Sequence, residues 1–146
     1  MPRTVLGLVL ILMAIQRPPQ GAAETVNYSY GKITNDCGPT DGLVTTLFLT
    51  SQPINCTQKE LPRPYISVMM DMRLVFPKII TLPAQDRYRD AYRCRGECEP
   101  AVSGTIVIDR AAKGAVAGHY DLKFKNGDTA AGSFEAKSCW QKLLCG

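Results

Sequence analysis

The chain has 146 residues, which is enough for one domain and too few for two full ones. Its 17 Lys and Arg residues exceed its 13 Asp and Glu residues by a net charge of +4. That charge is too weak to indicate a nucleic-acid-binding protein.

Residues 1–23 have the layout of a cleavable secretory signal. Arg3 gives a short basic start, residues 4–15 form an apolar run, and Gly21 and Ala23 are small residues at the two positions that a signal peptidase reads. The apolar run is shorter than the roughly 20 residues that a membrane-spanning helix needs. We therefore expect cleavage, a mature single domain over residues 24–146, a secreted or periplasmic location and no membrane span after cleavage.

Six cysteines follow the predicted signal, an even number that is typical of disulfides in an oxidising compartment. They are Cys37, Cys56, Cys94, Cys98, Cys139 and Cys145. Zinc is the competing interpretation, but Cys94 and Cys98 are spaced C-x3-C and the chain has one histidine. The sequence predicts disulfides and no metal site. Proximity favours a bond between Cys37 and Cys56, and leaves the other four cysteines to join the ends of late strands.

The first half of the mature chain has an apolar period of two, which predicts strands. Residues 26–33 are a candidate first strand, and residues 43–50, apolar and β-branched on both faces, are a central one. The run 65–76 lies between two prolines, and residues 78–82 form a shorter strand. The predicted inward residues of the run 65–76 are Ile66, Val68, Met70, Met72, Leu74 and Phe76. We interpret the methionines as core and not as a ligand-binding stripe.

The segment 87–95, RYRDAYRCR, alternates arginine with other residues. As a strand, it carries four arginines on one face: Arg87, Arg89, Arg93 and Arg95. Its tyrosines and its cysteine lie on the other face and are predicted to pack inward. The arginine face has two interpretations. It is either a solvated surface that nearby acids neutralise, or an exposed row that binds an acidic partner, a carboxylate or a phosphate.

The last third of the chain predicts strands over residues 103–109, 115–125 and 129–140. A two-residue turn at Asn126-Gly127 would pair inward with outward residues. A three-residue loop over residues 125–127, with glycine in the left-handed position, gives an all-apolar inner face. That face comprises Val116, Gly118, Tyr120, Leu122, Phe124, Ala130, Gly132, Phe134 and Ala136. Its glycines are expected to admit a bulky neighbour or a bend.

These patterns predict seven or eight antiparallel strands with little or no helix. Such a chain closes as a β-sandwich or a small barrel, because an open sheet of that length leaves edge strands with unpaired backbone N–H and C=O groups. The Cys…Trp…Cys spacing of antibody domains is missing, since Trp140 lies beside Cys139. The predicted fold is all-β and disulfide-stapled, and the sequence leaves sandwich and barrel as alternatives.

No set of residues in the sequence is typical of an enzyme site. His119 is the only histidine and is predicted to point outward, and oxidised cysteines are not nucleophiles. The carboxylate pairs Asp36/Asp41 and Glu97/Glu99 lie beside cysteines, where carboxylates usually stabilise turns. The first pair also lacks the D-x-D-x-D-G spacing of a calcium loop. We predict no catalytic residues, no metal and no cofactor.

Two parts of the chain resemble small secreted bacterial β-domain proteins of no assigned function. The first is C-G-P-T-D-G, an apolar strand and P-x-x-C, over residues 37–56. The second is G-x-Y-x-L-x-F…G-x-F-x-A…C, over residues 118–139. The resemblance implies an exported all-β domain and carries no activity or site residues. In a bacterial protein, the glycan-acceptor patterns at Asn27 and Asn55 are chance matches.

The predicted function is an exported binding or structural module without catalytic activity. Its partner is expected to be an unknown protein or an anionic ligand, and not nucleic acid. The alternative is a secreted enzyme inhibitor that presents the loop between Cys94 and Cys98. The third hypothesis is a hydrolase, which would require paired carboxylates in a concave pocket.

Overall fold

The computed structural model describes residues 23, 25–38, 40–71, 74–84 and 89–145. These residues contain eight strands and no helix. The strands are β1 (Tyr30–Cys37), β2 (Leu43–Thr50), β3 (Tyr65–Met70), β4 (Lys78–Leu82), β5 (Asp90–Cys94), β6 (Cys98–Ala112), β7 (Ala115–Phe124) and β8 (Thr129–Ser138). Residues 1–22 and 24 lie outside the described part, so the predicted signal and its cleavage remain predictions.

Seven strands close into a barrel in the order β6-β5-β3-β2-β1-β8-β7, with β7 pairing back to β6. The eighth strand, β4, lies outside this ring and pairs with β6 over residues 104–108. The fold is therefore a barrel and not a sandwich. Neighbouring strands are antiparallel except β1 and β8, which are parallel. An odd ring requires one parallel pair, because alternating directions cannot close over seven strands.

The barrel interior is filled by apolar side chains from every strand of the ring. The fully buried ones include Ile33, Leu47, Leu49, Ile66, Val68, Met70, Ile106, Ile108, Leu122 and Phe124. Tyr28 precedes β1 and closes one side of this core, with its ring edge-on to Tyr120 at 6.3 Å between centroids. Its backbone N–H donates to the Tyr120 hydroxyl at 3.0 Å. The interior is thus a packed core, as expected for a small barrel.

The bounds of the first four strands agree with the predicted bounds to different degrees. Strands β2 and β4 have the predicted bounds, whereas β1 begins four residues later than the run 26–33. Strand β3 ends at Met70, short of the predicted end at Phe76. Its three described inward residues, Ile66, Val68 and Met70, are buried as predicted. Met72 lies outside the described residues, and Leu74 packs partly against the core. Phe76 is exposed, so its predicted inward position is wrong, since β3 has ended before it.

The predicted hairpin between β7 and β8 is confirmed. Phe124 and Asp128 bracket a three-residue loop, with the Phe124 N–H donating to the Asp128 carbonyl at 2.9 Å. Gly127 has a φ of 94°, the left-handed conformation that this loop requires. The space left by the missing side chain of Gly132 is occupied by Tyr120, as predicted for a bulky neighbour. A Cβ added at Gly132 would lie only 2.8 Å from the Tyr120 hydroxyl.

All six cysteines form disulfides, but the predicted bond between Cys37 and Cys56 is wrong. Cys37 is bonded to Cys145, Cys56 to Cys139, and Cys94 to Cys98. Closeness in sequence does not correspond to closeness in space for Cys37 and Cys56. Residues 51–64, the long loop, bring Cys56 to the C-terminal tail, residues 139–145, instead.

Asn35 holds the C-terminal tail in place beside β1. Its side-chain amide donates to the Gln141 carbonyl at 2.6 Å and accepts from the Gln141 N–H at 2.9 Å. The Cys139 N–H donates to the Ile33 carbonyl at 2.8 Å, which continues the pairing of β8 with β1. These bonds place both tail cysteines at their partners.

Candidate functional site

Arg93 does not lie on a solvated face, and the predicted orientation of β5 is wrong there. The side chain of Arg93 is only 1% exposed, whereas Tyr92 is 40% exposed. Ala91 is buried on the same face as Arg93. The inward face of β5 is therefore the arginine face, and the predicted inward position of Tyr92 is reversed.

The barrel tolerates this buried arginine because its charge is compensated. The Arg93 guanidinium donates to Glu99 at 2.7 Å and to Asp128 at 3.0 Å. It also lies over the Phe124 ring, 4.1 Å from the centroid. Hydrogen bonds between charged groups contribute about 1.5–3 kcal/mol each, against a desolvation cost of several kcal/mol per ion. We call this set of four residues the Arg93 cluster.

The turn between β7 and β8 is fixed to the Arg93 cluster. The Asn126 N–H donates to Glu99 at 2.7 Å, and the Asn126 amide donates to Asp128 at 2.8 Å. Hydrogen bonds from Asn126 and then from Arg93 hold the pKa of Asp128 below its ordinary value. Asp128 is therefore ionised at neutral pH. The cluster joins the β5–β6 and β7–β8 hairpins at one end of the barrel, the arginine end.

Two other arginines surround a groove at the arginine end. Arg63 donates to the backbone carbonyls of Arg95 and Gly96. Arg95 lies 3.6 Å from Asp128, and its side chain is 49% exposed. Within the described part of the chain, no acidic side chain pairs with Arg63. The groove has a volume of about 560 Å³, and its lining comprises Ala23, Thr25, Val26, Arg63, Pro64, Arg95 and Asp128.

The four predicted arginines do not form one surface. Arg87 lies outside the described residues. Arg89 pairs with Asp71 at 3.1 Å, next to the start of β5, and Lys78 pairs with the same carboxylate at 2.6 Å. Burial alone would raise the pKa of Asp71, but the hydrogen bonds from Lys78 and Arg89 outweigh it and lower that pKa. Of the three that the structure describes, Arg95 alone lines the groove.

Sequence reasoning missed Arg63 and misplaced Arg93. Arg63 lies in a loop without periodicity, so no local signal links it to the hairpin that it contacts. Arg93 did leave a signal. Its face of the strand also contains the apolar Ala91, and the opposite face contains the charged Asp90. That contrast favours the arginine face as the inward one.

His119 lies outside the core, as predicted. It is 54% exposed on β7, and its Nδ1 lies 3.2 Å from Asp109. The carboxylate pairs were expected in loops, but Asp36 lies in β1 and Glu99 in β6. Asp36 accepts from the Cys37 N–H at 2.8 Å. Glu99 belongs to the Arg93 cluster. Among the described residues, no group of three or more His, Cys, Asp or Glu side chains is arranged to hold a metal ion.

Comparison of the chain with protein-family models, curated proteins and solved structures gives no significant match. The resemblance to small secreted bacterial β-domain proteins therefore stays a prediction. Three intramolecular disulfides are typical of an oxidising, non-cytoplasmic compartment. In the described residues, no helical segment has the length and hydrophobicity to cross a bilayer.

Proposed function

We propose that the protein is an exported binding module that docks an anionic group of its partner at the arginine end of the barrel. The observation that carries this proposal is the guanidinium of Arg63. It is fixed by two backbone carbonyls, lines an open groove, and has no acidic partner among the described residues. Arg95 provides a second, half-exposed guanidinium on the same groove.

The surroundings of these arginines favour recognition over folding as their role. Arg93 pairs with Glu99 and Asp128 below the surface. Arg63 and Arg95 lie at the surface, where Arg95 also pairs with Asp128 at 3.6 Å. The disulfide of the β5–β6 hairpin and the Arg93 cluster restrict the motion of this surface. A preorganised arginine loses less entropy when it binds a carboxylate or phosphate.

A binding titration with a defined acidic probe tests the proposal. We expect a decaglutamate peptide to bind the disulfide-bonded mature protein, and a decaglutamine peptide to bind much more weakly. Affinity should fall as salt is added, because exposed charge pairs are screened. Arg63→Gln should weaken binding about fivefold, since an exposed pair contributes up to about 1 kcal/mol.

Arg110→Gln is the matched control, because Arg110 is an exposed arginine near the opposite end of β6. It should leave the affinity for decaglutamate unchanged. Equal effects of Arg63→Gln and Arg110→Gln would mean that decaglutamate responds only to net charge. That result would refute a specific site at the arginine end.

An enzyme inhibitor is the second candidate, and the loop between Cys94 and Cys98 favours it. Residues 95–97 are exposed, and they are pinned by the disulfide and by the two hydrogen bonds from Arg63. A rigid loop that presents an arginine suits a protease that cleaves after arginine. The protein should then slow trypsin, and Arg95→Ala but not Arg110→Ala should abolish the effect. Full trypsin activity at excess protein would reject this candidate.

A further inference from the structure

A second groove, which shares no lining residue with the first, lies on the outer face of β1 and β2. Its floor is formed by outward side chains of these strands, among them Lys32, Thr34 and Phe48. One wall is residues 56–59 of the long loop, and the other is the C-terminal tail. The groove has a volume of about 620 Å³.

Disulfide and hydrogen bonds fix both walls of this groove. The bond between Cys56 and Cys139 joins the long loop to the tail. Lys32 donates from Nζ to the Gln58 carbonyl at 2.7 Å, so the floor is also bonded to the first wall. The Asn35 amide holds the backbone of Gln141 on the opposite wall. The groove is thus a preformed site and not a gap between mobile segments.

The lining groups have a mixed polar chemistry. The amides of Gln58 and Gln141 each donate one hydrogen bond within the protein, to the Glu60 carbonyl and the Thr34 hydroxyl, and each keeps a second N–H and its oxygen for a ligand. The Thr57 hydroxyl donates to Asn55 and still accepts. Phe48 is half-buried and adds one aromatic face, held edge-on to Tyr65 at 6.2 Å. Such a lining suits a ligand that carries many hydroxyl groups on an apolar ring frame, and does not suit a wholly apolar ligand.

The charge of the lining favours an acidic ligand. The lining contains two ammonium groups, from Lys32 and Lys59, and one carboxylate, from Asp36, so its charge is positive. Burial lowers the pKa of Lys32, because desolvation disfavours its charged form. A carboxylate brought next to that amine would offset this cost, since an opposite charge stabilises the ammonium.

We propose that this groove binds an acidic saccharide. The carboxylate of the sugar is placed at Lys32 and Lys59, and its hydroxyls are placed at the amides of the two walls. This inference does not depend on the binding of an acidic group at the arginine end, because the two sites share no residue.

An NMR titration of the full mature protein with tetragalacturonate tests the proposal. Amide shifts should map to the two walls of the groove and saturate. The fully methyl-esterified tetrasaccharide keeps the ring hydroxyls but lacks the charge, and it should bind at least tenfold more weakly. Decaglutamate, an anion without hydroxyls, should not displace tetragalacturonate from the groove.

Three substitutions separate this site from general charge effects. Lys59→Ala removes an exposed ammonium. Gln141→Ala removes a side-chain amide that donates to the Thr34 hydroxyl at 3.5 Å, and it keeps the two backbone bonds to Asn35. Each should weaken binding at least fivefold. Lys123→Ala, an equal charge change on the exposed face of β7, should have no effect. Absence of groove shifts, equal affinity for the methyl ester, or equal effects of Lys59→Ala and Lys123→Ala would overturn the proposal.

Discussion

Arg93 determines how the arginine end is built. A buried guanidinium is stable only where acids and an aromatic face replace its lost water, and Glu99, Asp128 and Phe124 provide them here. Because these partners come from β6, β7 and the turn before β8, one side chain connects three segments of the chain. Arg93 is buried, whereas Arg63 and Arg95 at the same end of the barrel are exposed to solvent.

Arg93→Met should destabilise the protein strongly, since it leaves Glu99 and Asp128 without their shared cation. We expect a loss of about 3 kcal/mol, the lower end of the range for removing one member of a buried ion pair. The lower end applies because both carboxylates retain some solvent contact. Arg110→Met, at an exposed site, should change the free energy of unfolding by less than about 0.5 kcal/mol in the same urea titration. Equal stabilities of the two variants would contradict the buried position of Arg93.

The sequence predicted the alternation of this segment but not which face turns inward. Because a charged side chain is usually solvated, the four arginines favour an outward face, whereas the contrast between Ala91 and Asp90 favours the opposite orientation. The compensating acids, Glu99 and Asp128, are 6 and 35 residues from Arg93 in sequence and meet only when the two hairpins pack together. Arg63 was not predictable for the same reason, because its contacts are to backbone carbonyls of a distant turn.

The closing hairpin is the element in which local sequence and structure agree best. Strands β7 and β8 are long, strictly alternating and joined by one short turn, so parity alone determines their register. Strand β3 is less well predicted. Its apolar alternation continues to Phe76, but the pairing with β2 and β5 ends by Met70, and the next strand, β4, pairs with β6 outside the ring.

Gly127→Ala should weaken the closing hairpin, because its φ of 94° lies in the left-handed region. The expected loss is about 1–2 kcal/mol, the penalty that a Cβ incurs in that conformation. Gly96→Ala is the matched control in another hairpin loop, since an added Cβ would meet no atom within 4 Å there. Thermal unfolding should rank Gly127→Ala clearly below Gly96→Ala. The opposite ranking would mean that the turn does not require a left-handed residue.

At the scale of the whole molecule, barrel closure explains why the disulfide pairing was not predictable. The parallel pairing of β1 with β8 brings the C-terminal tail beside the first strand. Cysteines that are 108 and 83 residues apart thereby become neighbours. An antiparallel sandwich, the alternative that the sequence left open, does not require this contact between the two ends of the domain.

The two long-range disulfides should be partly redundant. When Cys56–Cys139 is intact, Cys37–Cys145 closes an additional ring of only about 25 residues, which corresponds to roughly 3.5 kcal/mol in the chain-entropy model. Cys37→Ser/Cys145→Ser should therefore leave a folded protein of lower Tm. Loss of both long-range bonds should cost roughly 8 kcal/mol by the same model, which approaches the whole stability of a typical domain.

The Cys94→Ser/Cys98→Ser variant is the matched comparison, because that bond closes a very short ring and should contribute only about 2 kcal/mol. Calorimetry should thus rank the three variants by the size of the ring that each one opens. The variant in which Cys37, Cys56, Cys139 and Cys145 are all serine should be largely unfolded. The two double variants, each lacking one disulfide, should stay folded. A folded quadruple variant would show that the apolar core and the Arg93 cluster hold the barrel closed without a covalent link between its first and last strands.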